Sequence, residues 1–559
     1  MRIGRAFFGL TAPLLAGAYL GVLLTHALDD PASTAHRIVT KITRGFGALA
    51  LRDRPATRVV TSNRLSLSLT EYFLPLELKT GGGGLAADGT GALLLLDLEG
   101  RVFRFSDGET RRLDVVTPDA NLDDLRRRLN EGALGDVGII FGNVRFNDLL
   151  VHEVGNRSYL LVTYTEWHDE RQCYTSTLAA AAVSSRDVVD WTIGQGEWRT
   201  VTRSAPCLSP HASGDAIRGA EAGGGLVSAP DGTVLWTVGA YGRDDDLNRT
   251  EPASSVAQSD AGDYGKVLRV DIETGEVTHL AKGLRNPQGV DLQVDGTVLV
   301  TDHGMRGGDE LNAVAAGRNF GFPFVTLGTR YTGRPGGLKP SHAGHGGYDR
   351  PLVAFVPSIA PSSVLVVRDF HPVWDGDVLI GGLNRKLYRV HMEDGRVLFV
   401  EPIELGLRIR DLAWIGDGRL ALFTDDRKLA LAAPDATPSA YDELRILIDE
   451  DPDADLRADV HQALASCLTC HSLDDGEHGT GPSLHRVCRR TPGSAGFAGY
   501  SGALDRVAGV WNEERLARFI ADPEAAAPGT TMATGSLTTV RVAERLAAAL
   551  CDLGADSRE

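Results

Sequence analysis

From about Thr61 to Pro434 apolar residues alternate with polar ones, and almost no stretch carries a helical period. A core built on helices is excluded there, so the stretch has to fold as sheets. Its punctuation is regular. Asp-Gly dipeptides followed by alternating apolar residues recur at Asp88-Gly89, Asp231-Gly232, Asp295-Gly296, Asp375-Gly376 and Asp417-Gly418. Such dipeptides accept the positive φ of a tight hairpin, and each marks a turn between neighbouring strands. With a less regular strand pair from Gly142 to Thr165, the repeats predict a six-bladed β-propeller over residues 61–435. A single β-sandwich is too small for about 370 residues.

The chain then changes character. Asp442, Glu443, Asp449, Glu450, Asp451, Asp453 and Asp455 mark residues 436–456 as an acidic linker, and residues 457–556 read as an all-α domain. Asn512 opens an amphipathic stretch (Leu516, Phe519, Ile520) that stops before Pro523, and Val540 to Leu553 forms an alanine-rich helix. At the head of this domain stands Cys467-Leu468-Thr469-Cys470-His471. Two thiols three apart with an adjacent histidine are the c-type haem attachment signature. From one helical turn both sulfurs reach the porphyrin's vinyl groups, and the imidazole falls under the iron. A zinc half-site or a thioredoxin-like pair uses the same Cys spacing, but His478, His485 and Cys488 do not supply a second ligand pair. A thioether as second axial ligand raises the haem potential. The chain has 4 methionines, of which only Met532 follows the motif. His471 and Met532 are therefore the expected iron ligands, with His478 or His485 as the bis-histidine alternative.

From about Ala458 to Asp556 the sequence resembles a class I cytochrome c. The resemblance runs through the Cys-x-x-Cys-His motif, Gly481-Pro482-Ser483-Leu484, Gly499-Tyr500-Ser501, Trp511-Asn512-Glu513-Glu514, Pro528-Gly529-Thr530-Thr531-Met532 and the terminal helix. It implies haem c on Cys467 and Cys470, and electron exchange with a respiratory-chain acceptor or donor.

A chain of 59.7 kDa needs two or three folded units. At the N-terminus Arg2 and Arg5 precede a nearly uncharged run from Ala6 to Leu24, and charge returns at Asp29 and Asp30. The run exceeds the ~7–15 residues of a signal-peptide core and approaches the ~20 that span a bilayer. Residues 1–28 are thus expected to anchor the chain in a bacterial inner membrane with the bulk in the periplasm, and residues 29–60 to be a linker. Signal cleavage and release into the periplasm is the alternative. The net charge of -17 argues against nucleic acid and anionic membrane surfaces as partners. Outside the haem motif lie Cys173, Cys207, Cys488 and Cys551. An oxidising compartment permits two disulfides among them, and buried free thiols are the other reading.

Within the sheet-forming stretch, Leu284-Arg285-Asn286-Pro287-Gln288-Gly289, Thr301-Asp302-His303-Gly304, Gly307-Gly308-Asp309-Glu310-Leu311-Asn312 and Arg408-Ile409-Arg410-Asp411 resemble the soluble quinoprotein glucose and aldose (glucose/sorbosone) dehydrogenases. Those enzymes are six-bladed propellers that use pyrroloquinoline quinone (PQQ) and calcium. The resemblance implies that Arg285 and Asn286 polarise the quinone carbonyls and that Arg408 and Arg410 pair with PQQ carboxylates. It also implies calcium on the carbonyls of Gly304 and Met305, and a second calcium-binding region at Asp309 and Glu310. Where the family carries its catalytic base in His-x-x-Gly-Arg-Leu, this chain has Glu221-Ala222-Gly223-Gly224-Gly225-Leu226. Glu221 takes the base position, a role a carboxylate fills when burial raises its pKa. Asn384 stands near the family's cofactor lysine and Val356 where an aromatic lies beside the quinone; His211 and His303 are candidate substitutes for the base.

Three functions are compatible with these features. One is a membrane-anchored dehydrogenase that oxidises a sugar or another alcohol and feeds its own haem, tethering giving a high effective concentration. Another is a cytochrome whose propeller is a docking scaffold. The last is a propeller with non-redox chemistry such as lactone hydrolysis.

Overall fold

The computed structural model describes residues 55–132, 134, 144–183, 188, 191–210, 217–245, 254–329, 344–435, 440–532 and 539–553. The expected anchor at 1–28 and His211 lie outside the described residues. Among the described residues no helix is long and apolar enough to cross a membrane. The sites discussed below all belong to one compact unit, Thr57–Thr70 with Leu74–Glu559.

Six sheets form the blades, as the turn spacing predicts, antiparallel except where Arg318–Asn319 joins Val277–Lys282 in parallel. The second strand of a blade is a short apolar run, such as Leu93–Leu96, Val234–Val238 or Leu420–Thr424, buried along its whole length. Such continuous runs suit a strand covered on both faces by adjacent blades. Fourth strands such as Glu109–Arg112 are charged and face water. In the last blade Ile409–Trp414, Leu420–Thr424 and Lys428–Pro434 are completed by Ser66–Phe73 and Ala56–Thr61. Strands from both ends of the propeller sequence thus share one sheet, which closes the ring without a long open edge. Residues 56–60, expected in the linker, are therefore the outermost strand. Only Val60 of Ala56–Thr61 is buried, so the pattern carries no alternation to reveal it.

The acidic stretch expected as a linker is also structured. Ala440–Asp449 is a helix whose Leu444 and Ile448 are buried in one core with Leu546 and Leu550 of helix Val540–Asp552. Its acids have structural partners. Asp453 caps helix Ala454–Cys467 by accepting from the Asp455 and Leu456 N–H groups, and Asp451 and Asp453 pair with Arg545 (3.0 Å) and Arg541 (2.8 Å). Dense charge hid two core positions. Helix Glu513–Ala521 packs on the same core through Leu516, Phe519 and Ile520, as its period predicts. Both optional disulfides are formed, Cys173–Cys207 and Cys488–Cys551.

The innermost strands Leu85–Ala87, Phe146–Val154, Gly223–Ser228, Pro287–Leu292, Pro361–Val366 and Ile409–Trp414 line a central cavity of about 290 Å³. Alternate blades carry a buried aspartate there. Asp148 accepts from Leu226 N (2.8 Å), Asp291 from Val366 N (2.7 Å) and Asp411 from Leu85 N (2.7 Å), each across a blade boundary. Each also accepts the N–H of its own following residue. The packing is close. A Cβ at Gly225 would lie 2.2 Å from the Gln288 carbonyl oxygen, so the arginine that the resembling family carries there does not fit this backbone.

Candidate functional site

In an antiparallel blade the start of the first strand and the end of the second lie at the same end of the sheet. Arg145, Glu221, Arg285, Asn286, Arg408 and Arg410 all stand at the starts of innermost strands, and Asp245, His303 and Asp425 follow second strands. The topology therefore gathers one charged constellation at one end of the central channel.

Arg285 is 3% exposed and its donors are fully engaged. Nε and Nη2 donate to the two oxygens of Asp245 (2.9 and 3.0 Å), and Nη1 to the carbonyls of His303 (3.0 Å) and Gly304 (2.9 Å). Nη2 also lies 2.9 Å from Glu221 Oε1. A guanidinium has five N–H donors, and these partners use them. Asn286 holds the same turn. Its Nδ2 donates to Ala220 O (3.3 Å), and its Oδ1 accepts from Gly223 N (3.2 Å) and Gln288 Nε2 (2.7 Å). Both residues clamp the turn that presents Glu221, and the N–H groups of Arg285 are spent on these protein partners.

Glu221 lies on a short 3₁₀ turn, Gly219–Glu221, just ahead of strand Gly223–Ser228. Its Oε1 is held by Arg285, while Oε2 is buried without a hydrogen-bond partner. Burial pushes its carboxyl above the ordinary value, with Asp245 adding to the rise and Arg285 and Arg218 opposing it. A buried, oriented carboxylate oxygen with no donor is what a proton acceptor requires. His303 stands in the turn after Val298–Asp302. Burial lowers its imidazole to about 4, and the nearby Arg285, Arg410 and Arg408 act in the same direction. The ring is thus neutral at physiological pH.

Across the channel mouth Arg410 chelates Asp425 through Nε (3.0 Å) and Nη2 (2.6 Å), and Arg408 Nε reaches the same carboxylate (3.0 Å). Arg145, which sequence reasoning missed, is buried beside them. Its one positional signal is shared with Glu221, Arg285 and Arg408: it stands immediately ahead of an innermost strand. Three guanidiniums around one carboxylate leave positive charge in excess, and the pair formed by Arg285 and Arg218 with Glu221 and Asp245 does not. An anion is accommodated on the arginine-rich side. Asn384 donates to Tyr388 Oη (2.6 Å), and Val356 is 70% exposed.

The expected calcium ligands are otherwise occupied. The Gly304 carbonyl accepts from the Arg285 cation. Asp309 accepts from Gly304 N (2.8 Å), Ser358 Oγ (2.6 Å), Ile359 N (2.7 Å) and Ala360 N (2.8 Å), so both its oxygens are spent on loop geometry. Burial raises Glu310 to about 8, and Met305 packs among Ala240, Ala257 and Phe322. As placed, the Asp309 carboxylate has no oxygen left over for a calcium ion.

The haem ligands fit their cofactor. Cys467 ends helix Ala454–Cys467, and neither it nor Cys470 is in a disulfide. His471 Nδ1 bonds the Pro482 carbonyl at 2.7 Å, which leaves Nε2 for a metal. Gly481 is required beside it, because a Cβ there would lie 2.6 Å from the imidazole. Met532 packs on the same core as Cys467, Leu468 and Leu484. His478 accepts from Ser483 N (3.0 Å) and sits edge-on against Phe497.

Residues 147–433 match the Glucose / Sorbosone dehydrogenase family. The aldose sugar dehydrogenase YliI of Escherichia coli is 30% identical over 246 residues, 41% of this chain and 62% of that protein. The chain spans less than two thirds of the length of the first curated relatives its propeller matches. The crystal structure of the soluble aldose sugar dehydrogenase of E. coli in its apo-form aligns with a TM-score of 0.50 at 22% identity, covering 66% of this chain and 100% of that one. Cytochrome c2 iso-2 of Magnetospirillum fulvum is 37% identical over 81 residues, 14% of this chain and 83% of that protein.

Proposed function

The chain belongs to the glucose/sorbosone dehydrogenase family, and on that footing we propose that it oxidises a sugar or another alcohol at the propeller mouth, using PQQ, and delivers the electrons to its own haem c. The observation that carries the reading is the charge asymmetry of the mouth. Arg408 and Arg410 share Asp425 on one side with Arg145 buried beside them, and Glu221 offers an unpartnered oxygen on the other. PQQ, when bound, supplies a two-electron acceptor and three carboxylates.

The chain's own residues would act as follows. Arg408 and Arg410 hold carboxylates with the N–H groups that Asp425 does not use. Glu221 Oε2 takes the proton of the substrate hydroxyl, and Arg285 on Oε1 keeps that oxygen aimed. Asn286 holds the turn of Glu221 through Ala220 O and Gly223 N. At the other end of the reaction, His471 and Met532 would hold the haem iron, which would supply a one-electron acceptor for exchange with a respiratory-chain partner. The N-terminal apolar run anchors the chain in the inner membrane, with the bulk in the periplasm.

A second reading, a cytochrome with a non-catalytic docking propeller, is favoured by the complete internal use of the Arg285 donors. Purified protein supplied with PQQ and then with a panel of aldoses and primary alcohols separates the two. Substrate-driven reduction of the haem, read from its absorption, is expected. Absence of both PQQ retention and haem reduction leaves the docking reading.

A further inference from the structure

We infer that Arg145 and Arg410 together form a buried seat for a carboxylate at the mouth of the central channel. The identity of its ligand as an aromatic polycarboxylate rests on the cofactor reading above; the seat itself rests on geometry.

Arg145 is 8% exposed and lines the central cavity with Arg410. Its Nη1 donates to the Gly81 carbonyl (2.6 Å) and its Nε to Asn147 Oδ1 (3.2 Å), both neutral acceptors. Among the described residues no carboxylate pairs with it. The stem is held in place, because a Cβ at Gly82 would already lie 2.8 Å from Arg145 Cδ. A guanidinium does not shed its charge readily, and burying one without an anion is costly.

The groups that face it do not supply that anion. Arg410, from the sixth blade, repels it. Asp425 attracts it, but Arg410 and Arg408 already occupy both Asp425 oxygens. Asp148 and Asp411 line the same cavity, yet each bonds backbone N–H groups of its own and the adjacent blade. Burial raises both, Asp411 to about 7, so they offset only part of the arginine charge near neutral pH. Two like charges from blades on different sides of the mouth thus converge with one shared, fully chelated counter-ion. A ligand carboxylate between them completes the arrangement.

The test uses the full-length, haem-loaded protein with Arg145→Gln and Arg145→Lys, checked for native circular dichroism and an unchanged haem spectrum. PQQ affinity is measured by equilibrium dialysis. Thermal midpoints are compared with and without benzene-1,3,5-tricarboxylate or inorganic phosphate. Arg145→Gln is expected to weaken PQQ binding about tenfold or more. Arg145→Lys, which keeps the charge but loses the fork, is expected to weaken it several-fold and carries the test if the glutamine variant does not fold. Unchanged PQQ affinity in the folded variants overturns the seat and leaves the cofactor reading standing. If the parent takes no PQQ, tricarboxylate protection that Arg145→Gln abolishes keeps the seat and sinks the cofactor reading; no protection sinks both. Phosphate protecting as well as the tricarboxylate overturns the assignment to an aromatic polycarboxylate.

Discussion

The disulfide between Cys488 and Cys551 joins the segment after the haem-binding histidine to helix Val540–Asp552, across a sequence separation of 63 residues. Met532 lies inside the loop it closes. In the unfolded chain the haem remains tethered at Cys467 and Cys470, outside that loop, so the tether does not duplicate the constraint. Taking the 63-residue separation as the loop length, the closure relation of about 2.1 + 1.5R ln n gives roughly 14 cal/mol/K, or about 4 kcal/mol at 25 °C. The double variant Cys488→Ser/Cys551→Ser should therefore lose up to about 4 kcal/mol of cytochrome stability. Urea unfolding followed at the haem absorption reads the loss, and the urea slope should rise because the unfolded chain becomes more expanded. The methionine–iron absorption should fail at lower urea than helix content, since Met532 loses the pin on its loop. A double variant within about 0.5 kcal/mol of the parent would refute the argument. It would mean that the packing of Leu516, Phe519, Leu546 and Leu550 holds the loop without help from the disulfide.

Glu221→Gln should lower sugar-dependent haem reduction by about 10²–10⁴-fold while PQQ still binds; unchanged turnover in stopped-flow assays excludes Glu221 as the base. Met532→Ala should lower the haem potential and change the visible spectrum, because a thioether ligand is lost; an unaltered spectrum contradicts that ligand. Burial raises Glu310 to about 8, so its contribution to stability is full below its unfolded value and is lost as pH rises through about 8. Glu310→Gln should accordingly match the parent at low pH and exceed it in alkaline buffer, by at most about 5 kcal/mol. Parallel stability curves against pH, or a calcium-dependent melting point that the variant abolishes, would oppose this.

The haem half was readable because its chemistry is contiguous. Cys467, Cys470 and His471 lie together at and just beyond the end of one helix, and the scarcity of methionine singles out Met532. The blades were readable because each Asp-Gly turn is a local demand on φ. Local rules failed where charge hid packing, as with Leu444 and Ile448 in the acidic helix, and where a strand exposed nearly all its residues, as in Ala56–Thr61.

The mouth of the channel shows the division most sharply. Sequence marked Arg285, Asn286, Arg408, Arg410 and Glu221 as the residues that would gather there. Which of them has a donor or acceptor left for a ligand is a property of neighbours far away in the chain. Asp245 and the 303–304 carbonyls consume Arg285, and Asp425 chelates Arg410. Arg145, unremarkable in sequence, meets Arg410 only because the ring brings the second and sixth blades to one channel. Residue order determined the elements and the haem motif, since those depend on spacing within a few residues. Only the closed ring decided which charges are cancelled, because cancellation depends on distance in space.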